Sequence, residues 1–208
     1  LASQTFSKSY QQWVKGSTPL FLDRGRGGWV WDVDGNRYAD FVLGLLPVIL
    51  GYADPDVNAA MMDQMERGAT FSLPTRLEME LAERLVRLIP CAEKVRFGKN
   101  GSDAPKAAIR LARATPGRDK VVVGGYHGWH DWYLAANLGD KSSLDGHLLP
   151  GLEPKGVPRE LKGTILPFAY NDFEALEQLV QEHDIGIIKM EVSRSAGPKE
   201  GYLESIRK

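Results

Sequence analysis

Residues 94–128 read KVRFGKNGSDAPKAAIRLARATPGRDKVVVGGYHG, and this stretch decides the fold class. Its start predicts a short β-strand over 94–97, its Ala-rich middle predicts a helix over 104–114, and three consecutive valines predict a second strand over 121–123. A glycine-containing loop follows each strand. In an open α/β sheet the carboxyl ends of the strands line the ligand crevice, so these two loops carry the first candidate site residues.

Downstream residues extend the same alternation of strands and helices. Apolar runs predict strands over 164–168 and 185–190, with a helix over 172–183 between them. The segment 135–162 is rich in Gly, Pro and Lys and has no clear period, so it is expected to be a long, partly mobile excursion. The predicted fold class is α/β, with a mostly parallel sheet flanked by helices.

Two amphipathic helices are predicted upstream. The first begins after Asp54 and ends at Gly68, and its repeat of Val57, Met61 and Met65 is typical of a face that packs in a core. The second covers 75–89 and has a leucine face.

The chain begins with an arm and a β-hairpin. Residues 29–33 can pair with 37–41 across an Asp-Gly-Asn turn, because Asp-Gly favours the positive φ that tight hairpin turns need. We therefore expect two parts, the arm, hairpin and first helix over 1–70 and part of a larger α/β domain over 71–208.

The loop Gly98-Lys99-Asn100-Gly101-Ser102-Asp103 stands between a predicted strand and a helix. The start of a helix has unpaired N–H groups and the positive end of the helix dipole, so it favours a phosphate group. Gly101 would let an anion approach the backbone, Ser102 would donate a hydroxyl hydrogen bond, and Asp103 would lie in the first turn or at its cap. A capped turn without a ligand explains the same residues, so both interpretations stay open.

Tyr126-His127-Gly128 follows the next strand. A tyrosine there can lie against a flat aromatic cofactor, and a histidine can bond to the cofactor or substrate; a core tyrosine and a satisfied polar histidine are the alternative. His127 and His130 form an H-x-x-H pair without a third ligand at suitable spacing, so no metal site is expected.

Composition excludes several classes of function. Lys and Arg number 26 against 27 Asp and Glu, and this net charge of −1 gives no overall attraction to nucleic acid or to an anionic membrane. The apolar run over 41–50 is too short to cross a bilayer, and no signal peptide is predicted, so the cytoplasm is the expected location. Cys91 is the single cysteine, which rules out an internal disulfide, and its apolar context predicts a buried, inert thiol.

Taken together, five segments in order resemble the class III pyridoxal-phosphate (PLP)-dependent aminotransferases, and among them the glutamate-1-semialdehyde aminomutases. The segments are a hairpin, a turn into the first helix, a phosphate motif with its helix, a Tyr-His-Gly loop and a stretch near the end. They read TPLFLDRGRGGWVWDVDGNRYADFV, LPVILGYADPDV, RFGKNGSDAPKAAIRLARATPGRDKVV, GGYHGWHDW and AGPKEGYLESIRK. The resemblance implies an incomplete PLP-dependent transferase fold of type I.

The resemblance also implies roles for particular residues. Gly101, Ser102 and Asp103 would hold the PLP phosphate, Tyr126 would stack on the pyridine ring with His127 beside it, and Glu191 would face the substrate. The partners implied are a small-molecule amino donor and a carbonyl acceptor. The family works as a homodimer, and a homodimer or higher oligomer is expected here.

Some features depart from the family pattern. The usual Glu-Pro-Val is Glu191-Val192-Ser193, and Leu45 and Leu46 stand where the family has a tryptophan, so glutamate semialdehyde is not predicted as the substrate. The Schiff-base lysine and the aspartate on the pyridine nitrogen lie downstream of the last segment in the family. No catalytic residue is therefore assigned in these 208 residues, and Lys106 and Lys189 are interpreted as surface or strand-end residues.

The sequence leaves three functions open. The first is a PLP-dependent aminotransferase or aminomutase, present as an N-terminal part that does not transaminate alone. The second is a non-catalytic module for PLP or phosphate binding or for dimerisation. The third is an unrelated α/β domain that binds phosphosugars.

Overall fold

The computed structural model describes residues 6–147 and 151–208, in two compact units, Leu1–Pro90 and Cys91–Lys208. Each unit is described on its own. The division falls after the second long helix, whereas the sequence pattern placed a boundary between residues 70 and 71. That boundary stays a prediction for the domains of the complete protein.

The first unit contains a three-stranded antiparallel sheet with the order β1 (Leu22–Arg26), β2 (Trp29–Asp32), β3 (Arg37–Ala39). Strands β2 and β3 form the hairpin that the Asp-Gly turn predicted. The buried Asp32 carboxylate closes this turn, because it accepts hydrogen bonds from the amides of Asp34 and Asn36. Strand β1, with the sequence LDRGR, has no alternating apolar pattern and was not predicted.

Two helices follow, α1 (Pro55–Arg67) and α2 (Arg76–Leu88), and both begin where the sequence predicted. The Asp54 carboxylate caps α1 by accepting from the amides of Asp56 and Val57. Thr75 and Glu78 form a reciprocal capping box at the start of α2.

The apolar faces of these helices are exposed, which makes the prediction of a packed Met face wrong for this chain. Met61 and Met65 are 58% and 67% exposed, and Leu77 and Leu88 of α2 are 54% and 67% exposed. Cys91, just beyond α2, is exposed as well, so its predicted burial is also wrong. An amphipathic pattern marks a face suited to packing, but burial also requires a covering surface, and the described residues leave these faces open.

The second unit contains a three-stranded parallel sheet, as predicted, with the order β5–β4–β6. The strands are β4 (Lys120–Gly124), β5 (Ile165–Pro167) and β6 (Ile185–Met190). The central strand is fully buried at Val121, Val122 and Val123. Continuous valines suit such a strand because helices cover both of its faces.

Four helices accompany this sheet: α3 (Asp103–Ala114), α4 (Asp131–Leu134), α5 (Phe173–Glu182) and α6 (Tyr202–Arg207). Ile109 of α3 and Tyr133 of α4 pack with Val121 and Val123 on one face. Leu176 of α5 and Tyr202 of α6 pack with Val122 on the other. Single 3-10 turns occur at Phe6–Lys8, Tyr10–Gln12, Ala135–Leu138 and Arg159–Leu161.

Two expectations for this unit are wrong. Residues 94–97 are irregular and not a strand, because a strand needs a hydrogen-bonded neighbour and no described strand pairs with them. Residues 135–147 and 151–162 are not a loose excursion, since Ala135, Asn137 and Leu144 are buried. The Asn137 side chain bridges this segment, because its amide oxygen accepts a hydrogen bond from the backbone N–H of Leu144 at 3.0 Å. Within the described residues, no helix is both long and apolar enough to span a bilayer.

Candidate cofactor site

The predicted phosphate loop leads directly into α3, but its helix cap differs from the expected one. Asn100 Oδ1 accepts from the amides of Ser102 and Asp103 at 3.0 and 3.1 Å. Ser102 itself makes no side-chain capping bond, and Asp103 lies in the first helical turn as expected. Sequence reasoning missed Asn100, although an Asn two residues before the N-cap residue of a helix is a known signal for such a side-chain turn.

The two glycine loops lie side by side. A Cβ built on Gly128 would come within 2.8 Å of Ser102 Oγ, so the Tyr-His-Gly loop passes directly against the phosphate loop. Gly128 has φ +103°, a conformation that side chains disfavour. A Cβ on Gly101 would meet nothing within 4 Å, which leaves the backbone there open to an approaching group. The structure therefore brings together the two segments on which the cofactor hypothesis depends.

Tyr126 and His127 belong to an aromatic cluster with residues of α4. The Tyr126 ring is half-buried and meets Tyr133 edge-on, with ring centroids 5.9 Å apart, and burial raises the pKa of its hydroxyl. His127 is 8% exposed and lies nearly parallel to Trp132 at 6.4 Å. Tyr126 is thus partly core and partly accessible, and His127 is a core residue.

His127 also contacts Lys189, which β6 contributes from the far end of the sequence. Lys189 Nζ lies 2.8 Å from His127 Nδ1. Burial, followed by the nearby Lys189 charge, lowers the pKa of His127 to about 4. Burial also lowers the pKa of Lys189, while the charge of Glu191 opposes that change. Lys106 is exposed. Lys189 lies near the end of β6, but it is half-buried and contacts His127, a candidate site residue.

Glu191 directly follows β6, and its amide donates to the Gly124 carbonyl at 2.9 Å. Its carboxylate lies over Gly125, since a Cβ on that residue would come within 2.4 Å of Glu191 Oε2. Arg194 Nε is 3.0 Å from the same oxygen. This contact is an ion pair without hydrogen-bond geometry, so the buried Oε2 lacks a hydrogen-bond donor.

Three side chains contact Gly125: Tyr133 and His147 bond to its backbone, and Glu191 lies beside it. Tyr133 Oη donates to the Gly125 carbonyl at 2.9 Å, and the Gly125 amide donates to His147 Nδ1 at 2.9 Å. His147 Nδ1 also lies 2.9 Å from the Gly125 carbonyl. Because Tyr133 already donates to that carbonyl, we assign the His147 proton to Nε2, which leaves Nδ1 to accept from the Gly125 amide and satisfies both backbone groups. Burial lowers the pKa of His147, which keeps the ring neutral and able to accept. His147 lies in the segment that was expected to be a loose excursion, so sequence reasoning missed it.

The arrangement fits a flat, phosphate-bearing cofactor. An open backbone at Gly101 and a hydroxyl at Ser102 suit a phosphate, and a half-buried ring at Tyr126 suits an aromatic face. Residues 10–194 match the family model described as aminotransferase class-III. The chain belongs to the class III aminotransferases.

Relatives of this class III aminotransferase cover nearly all of its length. It is 37% identical over 196 residues to a glutamate-1-semialdehyde 2,1-aminomutase of Methanothrix thermoacetophila, an alignment that covers 91% of this chain and 44% of that protein. An omega-transaminase from Sphaerobacter thermophilus superposes with a TM-score of 0.80 at 27% identity, over 94% of this chain and 46% of that one. A transaminase solved with PLP bound gives a TM-score of 0.78 at 28% identity, over 93% of this chain and 46% of that one.

These comparisons confirm the family resemblance and the fold of PLP-dependent transferases. The chain spans about half the length of the relatives that it matches. Among the residues that the structure describes, no group of three or more His, Cys, Asp or Glu is arranged to hold a metal ion.

Proposed function

We propose that this class III aminotransferase chain binds PLP and forms part of an enzyme that transfers an amino group from a small-molecule donor to a carbonyl acceptor. PLP supplies an aldehyde that takes up the amino group and a ring that accepts carbanion charge. The observation that carries the proposal is the contact between Gly128 and Ser102, which unites the phosphate loop and the aromatic loop at one edge of the sheet.

Each candidate residue then has a role that its surroundings support. The backbone near Gly101, the Ser102 hydroxyl and the start of α3 at Asp103 would bind the phosphate. Tyr126 would cover one face of the PLP ring, and the neutral His127 would lie beside Tyr126 in the same aromatic cluster.

Glu191 would face the substrate, because it follows β6 at the carboxyl end of that strand and its side chain is 36% exposed there. Glutamate semialdehyde is not proposed as the substrate, because the relatives include both a glutamate-1-semialdehyde 2,1-aminomutase and a 3-aminobutyryl-CoA aminotransferase.

We place the Schiff-base lysine and the aspartate on the pyridine nitrogen outside these 208 residues, and no residue within them is assigned as catalytic. Lys189 is half-buried and bound to His127, which suits a structural partner of the site. The alternative of a non-catalytic module is not favoured, because the relatives are named as aminotransferases and aminomutases. A cytoplasmic location stays a prediction from the sequence.

A titration of the chain with PLP tests the proposal. The Ser102→Ala variant should bind PLP about tenfold more weakly, the loss expected for a hydrogen bond to a charged group. Ser142→Ala is the matched control, because Ser142 bonds to Asp140 on an exposed turn elsewhere. Pyridoxal without phosphate should bind weakly to every variant. Equal affinity of both variants for PLP, or equal affinity for pyridoxal and PLP, would contradict the phosphate site.

We also propose that the chain assembles as a homodimer or higher oligomer. The open apolar faces of α1 and α2 support this proposal, because large exposed apolar patches mark surfaces that another protein covers. Light scattering should give a mass of at least two chains. A stable monomer at micromolar concentration would count against assembly through these faces.

A further inference from the structure

Arg194 connects two parts of the candidate site that are far apart in sequence. It follows β6, and its side chain is 25% exposed. Its Nε pairs with Glu191 Oε2 at 3.0 Å. Its two terminal nitrogens donate to backbone carbonyls of another segment, Nη1 to Gly146 at 3.4 Å and Nη2 to His147. One guanidinium therefore holds both the carboxylate proposed to face the substrate and the segment 146–147.

The second of these contacts leads to the cofactor loop. His147 accepts the Gly125 amide at 2.9 Å, and Gly125 immediately precedes Tyr126. Gly125 has φ +103°, and the Glu191 carboxylate occupies the space beside it. The Gly125 conformation is thus held from one side by His147 and from the other by Glu191, and Arg194 binds both residues.

The shape of the side chain explains why arginine suits this position. A guanidinium is planar and presents its donors in a fixed fork, so it can donate to two carbonyls while its charge stays beside a carboxylate. A lysine ammonium carries the same charge on a flexible stem and does not reproduce that fork.

We infer that Arg194 is a positioning residue, which aligns Glu191 and, through His147, fixes the Gly125 backbone from which Tyr126 projects. Its importance for amino transfer rests on the proposed function. Its effect on Gly125 does not, because that effect follows from contacts within this chain.

Arg118 offers a matched control in the same chain. Its Nε pairs with Asp184 Oδ1 at 2.8 Å, and its Nη1 donates to the Ile185 carbonyl at 3.2 Å. Arg118 thus shares with Arg194 a carboxylate beside Nε and a carbonyl acceptor on Nη1, whereas Arg194 also donates from Nη2 to His147. Arg118 differs in place as well, since it is 49% exposed and its contacts are at the start of β6, at the opposite end of that strand from Glu191.

The experiment compares Arg194→Gln, Arg194→Lys and Arg118→Gln by hydrogen exchange of the Gly125 amide, followed by NMR with ¹⁵N-glycine. Both Arg194 variants should exchange this amide about tenfold faster than the unmodified chain, as expected when one hydrogen bond of its support is lost. The Arg118 variant should leave the Gly125 rate unchanged. Arg194→Lys retains the positive charge. If the Gly125 amide still exchanges fast in this variant, the effect comes from the planar arrangement of guanidinium donors and not from the charge.

Three results would overturn the inference: an unchanged Gly125 rate in Arg194→Gln, an equal change in Arg118→Gln, or full protection in Arg194→Lys. If Arg194→Gln fails to fold, the milder Arg194→Lys variant still decides the question. The PLP titration separates this inference from the proposed function. If the unmodified chain binds PLP and Arg194→Gln leaves the Gly125 rate unchanged, the inference alone is refuted. If the unmodified chain does not bind PLP and Arg194→Gln exchanges the Gly125 amide faster, the proposed function alone is refuted.

Discussion

Acidification should destabilise the second unit in part through the buried ring of His127. Its pKa is about 4 in the folded chain against 6.5 for an ordinary histidine, with burial as the main cause and the Lys189 charge as the next. The folded state therefore favours the neutral ring. This contribution to stability is complete above about pH 6.5 and is lost as the pH falls toward 4.

The difference between the folded and the ordinary pKa of His127 sets the size of this loss of stability. It corresponds to at most about 3 kcal/mol of unfolding free energy, and partial access of water at the site reduces the expected loss to about 2 kcal/mol. Lys189→Met removes the adjacent charge, so the pKa of His127 should rise toward 6.5 and the loss of stability in acid should become smaller. Burial against Trp132 and Tyr133 remains in that variant, so the rise should be partial.

Proton NMR of the histidine ring gives the pKa directly, with His127→Gln to identify its signal among the four histidines. Urea unfolding between pH 4 and 7.5 gives the matching loss of stability. His183 is a control within the same spectrum, because it lies next to the Lys120 ammonium at a more exposed position. A His127 pKa of 6 or above in the unmodified chain, or no change in Lys189→Met, would refute the reasoning.

Three further substitutions test the loops around the site. Gly128→Ala should lower the free energy of unfolding in urea by about 1–3 kcal/mol, because Gly128 has φ +103° and the Ser102 hydroxyl lies beside it. Gly146→Ala is the control and should cost little, because Gly146 has open space and no positive φ. Equal losses of stability in the two variants would contradict the contact between the loops. Tyr133→Phe should cost about 1–2 kcal/mol, because it removes the hydroxyl that donates to the buried Gly125 carbonyl, and unchanged unfolding would show that this bond is dispensable. Asn100→Ala should cost about 1 kcal/mol and speed amide exchange in the first turn of α3, while exchange in α5 stays unchanged as a reference.

The sequence predicted those parts of the fold that depend on local signals. Continuous valines over 121–123 indicated a buried parallel strand, and Asp54 and Thr75 marked the helix starts that the structure shows. The hairpin followed from its Asp-Gly turn. Each of these signals acts over a few residues, so neighbours in the sequence carry the information.

Features that depend on distant partners were not predicted. The contact between Lys189 and His127 joins residues 62 positions apart, and no spacing rule reveals it. The sequence did not single out Arg194, because its three contacts lie on two separate segments. Residues 94–97 carry a strand pattern without a partner strand, which shows that pattern alone does not secure pairing.

The backbone on either side of Tyr126 and His127 has a consequence for anyone who wishes to redesign this loop. Gly125 and Gly128 both adopt φ +103°, a backbone conformation that favours glycine. The side chains of Tyr126 and His127 therefore project from a segment with such a glycine at each end. A mutant library should therefore diversify the half-buried position 126 and leave both flanking glycines and the buried His127 untouched. Variation at the glycines would disturb the loop backbone, whereas variation at 126 would change the side chain that this backbone presents.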